Sequence, residues 1–518
     1  MKKVILQIIV LLLIMAACAD NRQKESVVAG DVFDSSWRSL EHYRCPDWFR
    51  DAKFGIYSHW NAQSVPAQGG WYARDMYIEG TRDYKFHTAN YGHPSKVGYK
   101  DVIEMWKAER FEPDKIIALY KEAGAKYFVA VAVHHDNFDL WDSKHHEWNA
   151  VKHGPHQNII AKWEKATRKA GLRWGVTSHA ERSWNWLATS HGADKQGEYA
   201  GVPYDGADLK FAGLYFKEYP GYKNTHFQYA TDPPQEVIED YVLRMKDLID
   251  QHNPDFFYND GGVPFCETGR KMLAYYYNQN IRRNNGKLEA VMCLKNYAGG
   301  YHGDDLRDGI ATENVEDGQL DHINGLPWQT DESVGGWFYD TQATYKTPNY
   351  IIDKLIDIVS KNGNLMLNVP PRADGTLDDE TIRILKEIGK WIKINGEGIY
   401  STRPYSVYGE GPTQVNSGYF RKMPDLTGED IRYTTKGDTV FAFVCGTPQD
   451  TVSMRAFSAQ NYHSVKSVTM LGVEGELKFE QTDKLLKVGM PSKMPCDYAV
   501  CMKIIPVLNP VPDGLPIP

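Results

Sequence analysis

Residues 126–133 read Lys-Tyr-Phe-Val-Ala-Val-Ala-Val, an apolar run that is not interrupted by any polar position after the first lysine. Such a run predicts a strand that is buried on both faces, as strands are in a parallel sheet covered by helices. Apolar residues recur at helical spacing in residues 111–124 before the run and in residues 159–170 after it. This alternation of helix and strand predicts an α/β fold, an irregular (β/α)8 barrel.

The same pattern continues along residues 35–400. One strand ends in His59, another ends in Asp260, and others are predicted at residues 173–177, 289–294, 309–312 and 364–369. Polar residues gather where these strands end, which in a barrel is the edge that carries chemistry. The spacing does not fix whether all eight units are regular. Residues 401–518 instead show short alternating β runs between Gly, Pro and Asp turns, which predicts a C-terminal antiparallel β-sandwich.

The N-terminus has the pattern of a leader. Two lysines precede an apolar run from Val4 to Ala17 that is too short to span a bilayer, and Cys18 follows small residues. Residues 1–18 therefore resemble a bacterial lipoprotein signal, and the alternative is an ordinary signal peptide with a chance cysteine. Polar residues 19–34 are predicted to be a tether. We expect an exported protein, periplasmic or anchored in the outer membrane of a Gram-negative bacterium, that meets a membrane only through this lipid anchor.

Composition excludes some partners. A net charge of −8 and a pI near 6.1 argue against nucleic acid, which requires a basic face. The cysteines are scattered without CxxC pairs, so zinc sites are not expected, although Cys496 and Cys501 are near enough in sequence for a disulfide in an oxidising compartment. Aromatic residues make up 13% of the chain, which fits either a large core or flat walls that stack on sugar rings.

Asp260 lies in the stretch Phe-Phe-Tyr-Asn-Asp-Gly-Gly at 256–262, in which a short apolar run is followed by the acid and two glycines. This pattern favours an acid at the C-terminal tip of a barrel strand. An ordinary Asp-Gly turn is the alternative.

His134 and His135 directly follow the apolar run. Neighbouring residues on a strand point to opposite faces, so two adjacent histidines are poorly placed to share one metal ion. The alternative is that one of the two is a structural histidine buried in the core, with its hydrogen bonds satisfied there. The favoured interpretation is that both imidazoles hydrogen-bond to a polar ligand, with His59 and Trp71 contributing from neighbouring strand ends.

No nucleophile elbow, phosphate loop or dinucleotide fingerprint is found in the sequence, so carboxylates are the remaining candidates for catalytic groups. Glu313 and Glu316 lie just past a predicted strand. Glycoside cleavage needs one ionised carboxylate at the anomeric carbon and one protonated carboxyl at the departing oxygen. Two acids on barrel loops are common by chance, so their spacing alone is weak evidence.

Several stretches in order carry a resemblance to a known family. They are WFRDAKFG at 48–55, WYARDMY at 71–77, HHD at 134–136 with LWDS at 140–143, NDGG at 259–262, PWQTD at 327–331 and KNGNLMLNV at 361–369. Over residues 35–510 the chain resembles glycoside hydrolase family 29, the α-L-fucosidases.

The resemblance implies a retaining exo-glycosidase that releases terminal α-L-fucose from a fucosylated oligosaccharide or glycan, without a metal or other cofactor. Asp260 matches the family's nucleophile, and Glu316 is the matching acid/base, with Glu313 as the alternative. His59, Trp71, His134 and His135 match residues that hold the fucose in the family, and Trp328 is added to these predicted substrate-binding residues.

The chain departs from the family pattern at Asn137 and at residues 177–181, Thr-Ser-His-Ala-Glu. His179 and Glu181 are therefore added to the predicted substrate-binding residues. Because a hydroxyl on C6 needs a partner, which His179, Glu181 or Asn137 could supply, an α-L-galactosidase stays open as an alternative. A non-catalytic sugar-binding lipoprotein on the same scaffold is the other.

Overall fold

The computed structural model describes residues 31–219, 233–296, 303–304, 306–446, 448, 450–460 and 464–506. The predicted signal at residues 1–18 and most of the predicted tether lie outside these residues. Among the residues described, no helix combines the length and apolar character needed to cross a membrane.

Eight parallel strands close into a barrel, and each pairs with its neighbours in chain order. They are β1 (Phe54–Ser58), β2 (Tyr127–Val133), β3 (Arg173–Ser178), β4 (Phe256–Asn259), β6 (Val291–Leu294), β8 (Thr312–Asn314), β9 (Trp328–Ser333) and β10 (Gly363–Asn368). β1 closes the ring by pairing with both β2 and β10. Two short strands outside the barrel, β5 (Val263–Pro264) and β7 (Gly303–Asp304), form an antiparallel ribbon.

Helices of very different length surround the barrel. The α-helices are Trp37–Leu40, Asp47–Ala52, Tyr72–Asp75, Arg82–Asn90, Tyr99–Met105, Pro113–Glu122, Ile159–Lys169, Ser183–Trp186, Ala212–Tyr215, Gln235–His252, Glu267–Arg283, Pro348–Ser360 and Asp379–Asn395. Short 3-10 turns are Ala62–Ser64, Ala180–Arg182, Leu187–His191, Asp205–Ala207, Leu209–Phe211, Gly396–Gly398 and Arg455–Phe457. No long helix is described between β1 and Arg82 or between β8 and β9, so the barrel is irregular as predicted.

Antiparallel sheets follow the barrel. β11 (Arg403–Glu410), β12 (Ile431–Lys436), β13 (Thr439–Val444), β18 (Val500–Pro506) and β15 (Val465–Met470) form one sheet. β14 (Thr451–Met454), β17 (Leu486–Gly489) and β16 (Phe479–Gln481) form the other. The two sheets enclose an apolar core, and alternate residues face it in strands such as β14.

The sheets are docked on the barrel through buried contacts. Phe441, Phe443 and Cys501 belong to the same apolar cluster as the barrel helices. Arg432 of β12 donates from Nε to Asp357 at 2.7 Å, and Trp391 donates from Nε1 to the Ala499 carbonyl at 2.6 Å. A buried ion pair and a shared core hold the two parts together firmly.

The fold prediction is confirmed, with differences at the strand ends. β8 covers Thr312–Asn314 rather than residues 309–312, and β9 (Trp328–Ser333) is a strand that the sequence pattern does not predict. β9 carries Gln, Thr, Asp, Glu and Ser among its six residues, so it lacks the apolar run that reveals the other strands. The six cysteines from Cys45 to Cys501 are free thiols, so the suggested Cys496–Cys501 disulfide is not formed.

Candidate active site

A cavity of about 260 Å³ opens at the carboxyl ends of the barrel strands. This volume is at the small end of the range for ligand pockets and suits one sugar ring. The lining residues are Tyr57, His59, Gly70, Trp71, His134, His135, His179, Arg182, Asp260, Lys295, Glu316, Asp331, Trp337, Phe338 and Phe420. A larger groove of about 940 Å³ lies at the opposite end of the barrel, around the starts of the strands.

Asp260 directly follows β4 and is 7% exposed. Its Oδ1 accepts hydrogen bonds from Lys295 Nζ and, at 3.2 Å, from the Tyr258 hydroxyl. Its Oδ2 lies 3.0 Å from His179 Nδ1 and 3.3 Å from His135 Nε2. Burial by itself would raise the pKa of Asp260, but Lys295, His179 and the His135 hydrogen bond together hold it well below its ordinary value. This carboxylate is therefore ionised and available as a nucleophile.

A chain of buried donors leads through the barrel interior to Asp260. The Tyr127 hydroxyl donates to Gln329 Oε1 at 3.0 Å, and Gln329 Nε2 donates to Asn314 Oδ1 at 2.9 Å. Asn314 Nδ2 then donates to the Tyr258 hydroxyl at 3.1 Å, and Tyr258 donates to Asp260. Because every bond in the chain points the same way, each one polarises the next towards the carboxylate.

Glu316 lies in the loop between β8 and β9 and shares its partner with Asp260. Lys295 Nζ donates to both carboxylates. Two charge-assisted hydrogen bonds to one nitrogen place the two acceptor oxygens no more than about 5.6 Å apart. Retaining glycosidases hold their two carboxyl groups about 5–5.5 Å apart, and inverting ones hold them further apart. Burial raises the pKa of Glu316, Lys295 opposes this and Asp260 adds to it, so the two acids are shifted in opposite directions.

Asp331, a third carboxyl group, lies on β9 and is 2% exposed. It accepts a hydrogen bond from Asn314 Nδ2 at 2.8 Å. Burial and the nearby Glu316 raise its pKa to about 8, although Lys295 lowers it. Asp331 is therefore neutral at pH 7, which limits the negative charge beside Asp260 and Glu316.

Three imidazoles, those of His59, His134 and His179, have ligand atoms within 4.8 Å of one another. The hydrogen-bond network fixes their tautomers. His59 Nδ1 lies 3.0 Å from the side-chain oxygen of Asn368 and carries the proton, so its Nε2 is an acceptor, which lies 3.1 Å from the Tyr57 hydroxyl. His134 is the opposite tautomer, because Gln63 Nε2 donates to its Nδ1 at 3.1 Å and the ring proton is therefore on Nε2.

His179 Nδ1 must carry a proton to lie 3.0 Å from the Asp260 carboxylate. The Tyr57 hydroxyl lies 3.4 Å from His179 Nε2 as well, so the three rings have two acceptor nitrogens beside this hydroxyl and one donor nitrogen, on His134. A metal ion would need three lone pairs, so this set suits hydroxyl groups better. Burial lowers the pKa of His59 and His134 well below the ordinary value, which keeps these rings neutral. A second group within the same distance, His135, His179 and Asp260, already bears the Asp260 ion pair with Lys295.

The structure brings most of the predicted residues into one pocket: Asp260, Glu316, His59, Trp71, His134, His135 and His179. Trp328 lies elsewhere, because it begins β9, is fully buried, and donates from Nε1 to the Lys361 carbonyl at 2.8 Å. Glu313 is outside the cavity and accepts from the Tyr419 hydroxyl at 3.4 Å.

Two candidates for a C6 hydroxyl are already engaged in the protein. Glu181 is 6% exposed and lies 3.4 Å from Arg182 Nη2 without lining the cavity. Asn137 is 1% exposed, donates to the carbonyls of residues 213 and 214, and accepts from Arg244 at 2.7 Å. Only His179 of the three lines the pocket.

Sequence reasoning missed Lys295, Arg182, Asp331 and the aromatic Phe420. Lys295 follows β6 immediately, so the rule that strand ends carry chemistry could have found it. Asp331 stands inside a strand that was not recognised, and Phe420 comes from the C-terminal part of the chain, about a hundred residues after Glu316. Neither has a local signal.

The chain is similar to known α-L-fucosidases in sequence and in fold. The α-L-fucosidase family model matches residues 21–397, and the α-L-fucosidase C-terminal domain model matches residues 424–505. Tissue α-L-fucosidase of Mus musculus is 28% identical over 92% of this chain and 95% of its own length. The crystal structure of Thermotoga maritima α-fucosidase has a TM-score of 0.70 and 23% identity, and covers 91% of this chain and 100% of that one.

A Bacteroides thetaiotaomicron family 29 α-L-fucosidase, solved as a trapped covalent intermediate, has a TM-score of 0.61 and 16% identity, with 89% and 97% coverage. These relatives favour neither the galactosidase nor the non-catalytic alternative.

The expected location in a Gram-negative periplasm or outer membrane is wrong. Curated relatives that match over nine-tenths of the chain come from eukaryotes, namely mouse, human and Dictyostelium discoideum. The family model covers well over half of the 518 residues. The chain belongs to glycoside hydrolase family 29 and is a retaining α-L-fucosidase.

Proposed function

We propose that Asp260 is the nucleophile and Glu316 the acid/base of this fucosidase. The observation that carries the proposal is the single buried ammonium of Lys295, which donates to both carboxylates. Their pKa values are moved apart, Asp260 downwards and Glu316 upwards, which gives one ionised and one protonated group at the same pH.

In the first step Asp260 Oδ attacks the anomeric carbon of α-L-fucose while the bond from that carbon to the glycosidic oxygen breaks. Glu316 gives its proton to the departing oxygen. In the second step Glu316 takes a proton from water, the water oxygen attacks the anomeric carbon, and Asp260 leaves as a carboxylate. Two inversions retain the configuration.

Lys295 keeps the charge balanced through both steps. Before the first step its ammonium faces ionised Asp260 and neutral Glu316. In the covalent intermediate Asp260 is an uncharged ester, whereas Glu316 has become the carboxylate. Of these two carboxyl groups, one is therefore always an anion that faces the Lys295 ammonium, which avoids the cost of leaving this buried charge unpaired.

The substrate-binding roles go to His59, Trp71, His134, His135 and His179. The imidazoles offer acceptors and a donor to hydroxyl groups, and the half-exposed Trp71 offers an apolar face. The cavity volume of about 260 Å³ supports an exo-enzyme that holds one terminal fucose of a glycan.

The decisive experiment compares Glu316→Ala with Glu313→Ala, its matched control three residues away, and with Asp260→Gly. We expect Asp260→Gly and Glu316→Ala to lose several orders of magnitude in hydrolysis of an aryl α-L-fucoside, whereas Glu313→Ala stays near wild type. Azide should restore Glu316→Ala and give α-L-fucosyl azide, since azide attacks the β-linked intermediate without needing a base and inverts the anomeric carbon a second time. Full activity of Glu316→Ala, or azide rescue of Glu313→Ala, would contradict the assignment.

We further propose that residues 1–17 are an export leader cleaved before a lipid-modified Cys18, and that residues 19–34 tether a barrel ending near residue 400 to this anchor. The support is the leader pattern itself and the start of β11 at Arg403. Mass spectrometry of the mature N-terminal peptide tests it, and an unmodified cysteine or an intact Met1 would contradict it.

A further inference from the structure

Phe420 is an aromatic residue in an unusual position at the mouth of the pocket. It lines the cavity and yet is 57% exposed. Its φ is +53°, a left-handed conformation that bulky side chains rarely adopt and that costs about 1–3 kcal/mol. A residue that is both strained and exposed on its apolar side gains little from folding, so its side chain has another use.

The segment that carries Phe420 is held against the loop after β8. Phe420 donates its backbone N–H to the Glu316 carbonyl at 2.9 Å, and Gly418 donates to the Gln319 carbonyl at 2.9 Å. Gln319 Nε2 donates in return to the Asn416 carbonyl at 2.7 Å. The backbone of Phe420 is therefore held in place relative to Glu316.

The side chains of Tyr419 and Phe420 lie on opposite sides of this segment. The Tyr419 hydroxyl accepts from the Asn296 backbone at 2.8 Å and donates to Glu313 at 3.4 Å, away from the cavity. Phe420 lines the cavity instead. The register of the segment thus presents one aromatic ring at the pocket mouth, next to Glu316.

The chemistry places the leaving group on the same side. An acid/base must reach the glycosidic oxygen within hydrogen-bond distance, so the departing sugar begins beside Glu316. The cavity holds one ring, and the next sugar of the glycan must lie outside it, at the mouth. Among the described lining residues, Phe420 and Trp71 are the exposed aromatics there.

We propose that Phe420 forms the leaving-group subsite of the enzyme, where its ring stacks on the C–H face of the pyranose to which fucose is attached. This rests on the proposed role of Glu316 as acid/base. The ligand class is a neutral hexopyranose, and the C-terminal part of the chain thereby takes part in choosing the substrate.

The test compares two substrates on the Phe420→Ala variant. α-L-Fucosyl fluoride has no sugar in the leaving-group position, whereas α-L-fucosyl-(1→3)-N-acetylglucosamine has one. We expect kcat/KM for the disaccharide to fall roughly tenfold, the usual worth of one aromatic stacking contact, and kcat/KM for the fluoride to stay unchanged. Phe420→Trp should restore the disaccharide rate.

Leu326→Ala is the matched control, because Leu326 is also an exposed apolar residue, 45% exposed, but lines the groove at the other end of the barrel. Leu326→Ala should leave kcat/KM unchanged for both substrates. Equal rates of Phe420→Ala and wild type on the disaccharide would overturn the proposal. An equal loss on both substrates would also overturn it, since Phe420 would then only position Glu316. Failure of the proposed function looks different: the Glu316→Ala variant would hydrolyse the disaccharide at the wild-type rate.

Discussion

Replacing Lys295 by methionine should move both limbs of the pH–activity profile to higher pH. The acid limb reports ionisation of Asp260, and the alkaline limb reports loss of the proton from Glu316. Lys295 lowers the pKa of both groups, because its ammonium favours the charged form of each. Methionine keeps the length of the side chain and removes the charge, so both pKa values should rise.

The size of the shift follows from direct contact in a buried site. Lys295 is 3% exposed and hydrogen-bonds to both carboxylates. A cation this close to a carboxylate lowers its pKa by about 1–3 units, so each limb should rise by about that much. Below the new acid limb, kcat/KM falls about tenfold per pH unit, so the variant loses most activity under acidic conditions.

The assay is kcat/KM for an aryl α-L-fucoside across pH, with circular dichroism at each pH to confirm folding. Lys361→Met is the matched control: Lys361 is also fully buried and forms an ion pair with Asp357 at 2.6 Å, outside the pocket. Both variants break a buried ion pair, at a stability cost of about 3–5 kcal/mol, but only the first should move the limbs. Limbs that stay in place or move to lower pH in Lys295→Met would refute the reasoning.

Three other predictions follow from contacts in or near the pocket. Tyr258→Phe removes a donor from Asp260, so the acid limb should rise by about one pKa unit while the alkaline limb stays, as the same pH profile would show. Asp331 has a folded pKa of about 8, above its unfolded value, so its stabilising contribution is complete at low pH and is lost as pH rises towards 8. Thermal unfolding at pH 4.5 and 7.5 should therefore show Asp331→Asn gaining stability relative to wild type at the higher pH, by a few kcal/mol at most; a gain only at pH 4.5 contradicts this. Trp328→Phe should destabilise the protein by about 1–3 kcal/mol in denaturant titrations and leave KM unchanged. A raised KM would show instead that Trp328 contributes to substrate binding.

The parts of the fold that the sequence predicts well are those with a one-dimensional pattern. The run at residues 126–133 becomes β2, and the Asp260 strand becomes β4, because short apolar runs rich in β-branched and aromatic residues favour a strand in a buried sheet. β9 gives no such signal, since its polar side chains are satisfied by partners that are distant in sequence. Gln329 illustrates this, because it bonds to Tyr127 about two hundred residues earlier.

The same limit applies to the site. Residues at strand ends, such as His134 and Asp260, are predictable because parallel strands bring their carboxyl ends to one edge. Lys295 was overlooked because it looks like an ordinary lysine until both of its carboxylates are seen. Phe420 could not be found at all, since only the folded chain brings the C-terminal part next to Glu316.

The donor chain that begins at Tyr127 has a consequence for how such enzymes diverge. Gln329, Asn314 and Tyr258 do not line the cavity, yet the chain of hydrogen bonds that they form ends on Asp260. Selection for a new pH optimum can therefore act in the centre of the barrel, with every residue of the sugar pocket left as it is. Laboratory evolution aimed at acidic or alkaline environments should randomise these interior amides before it touches the substrate contacts.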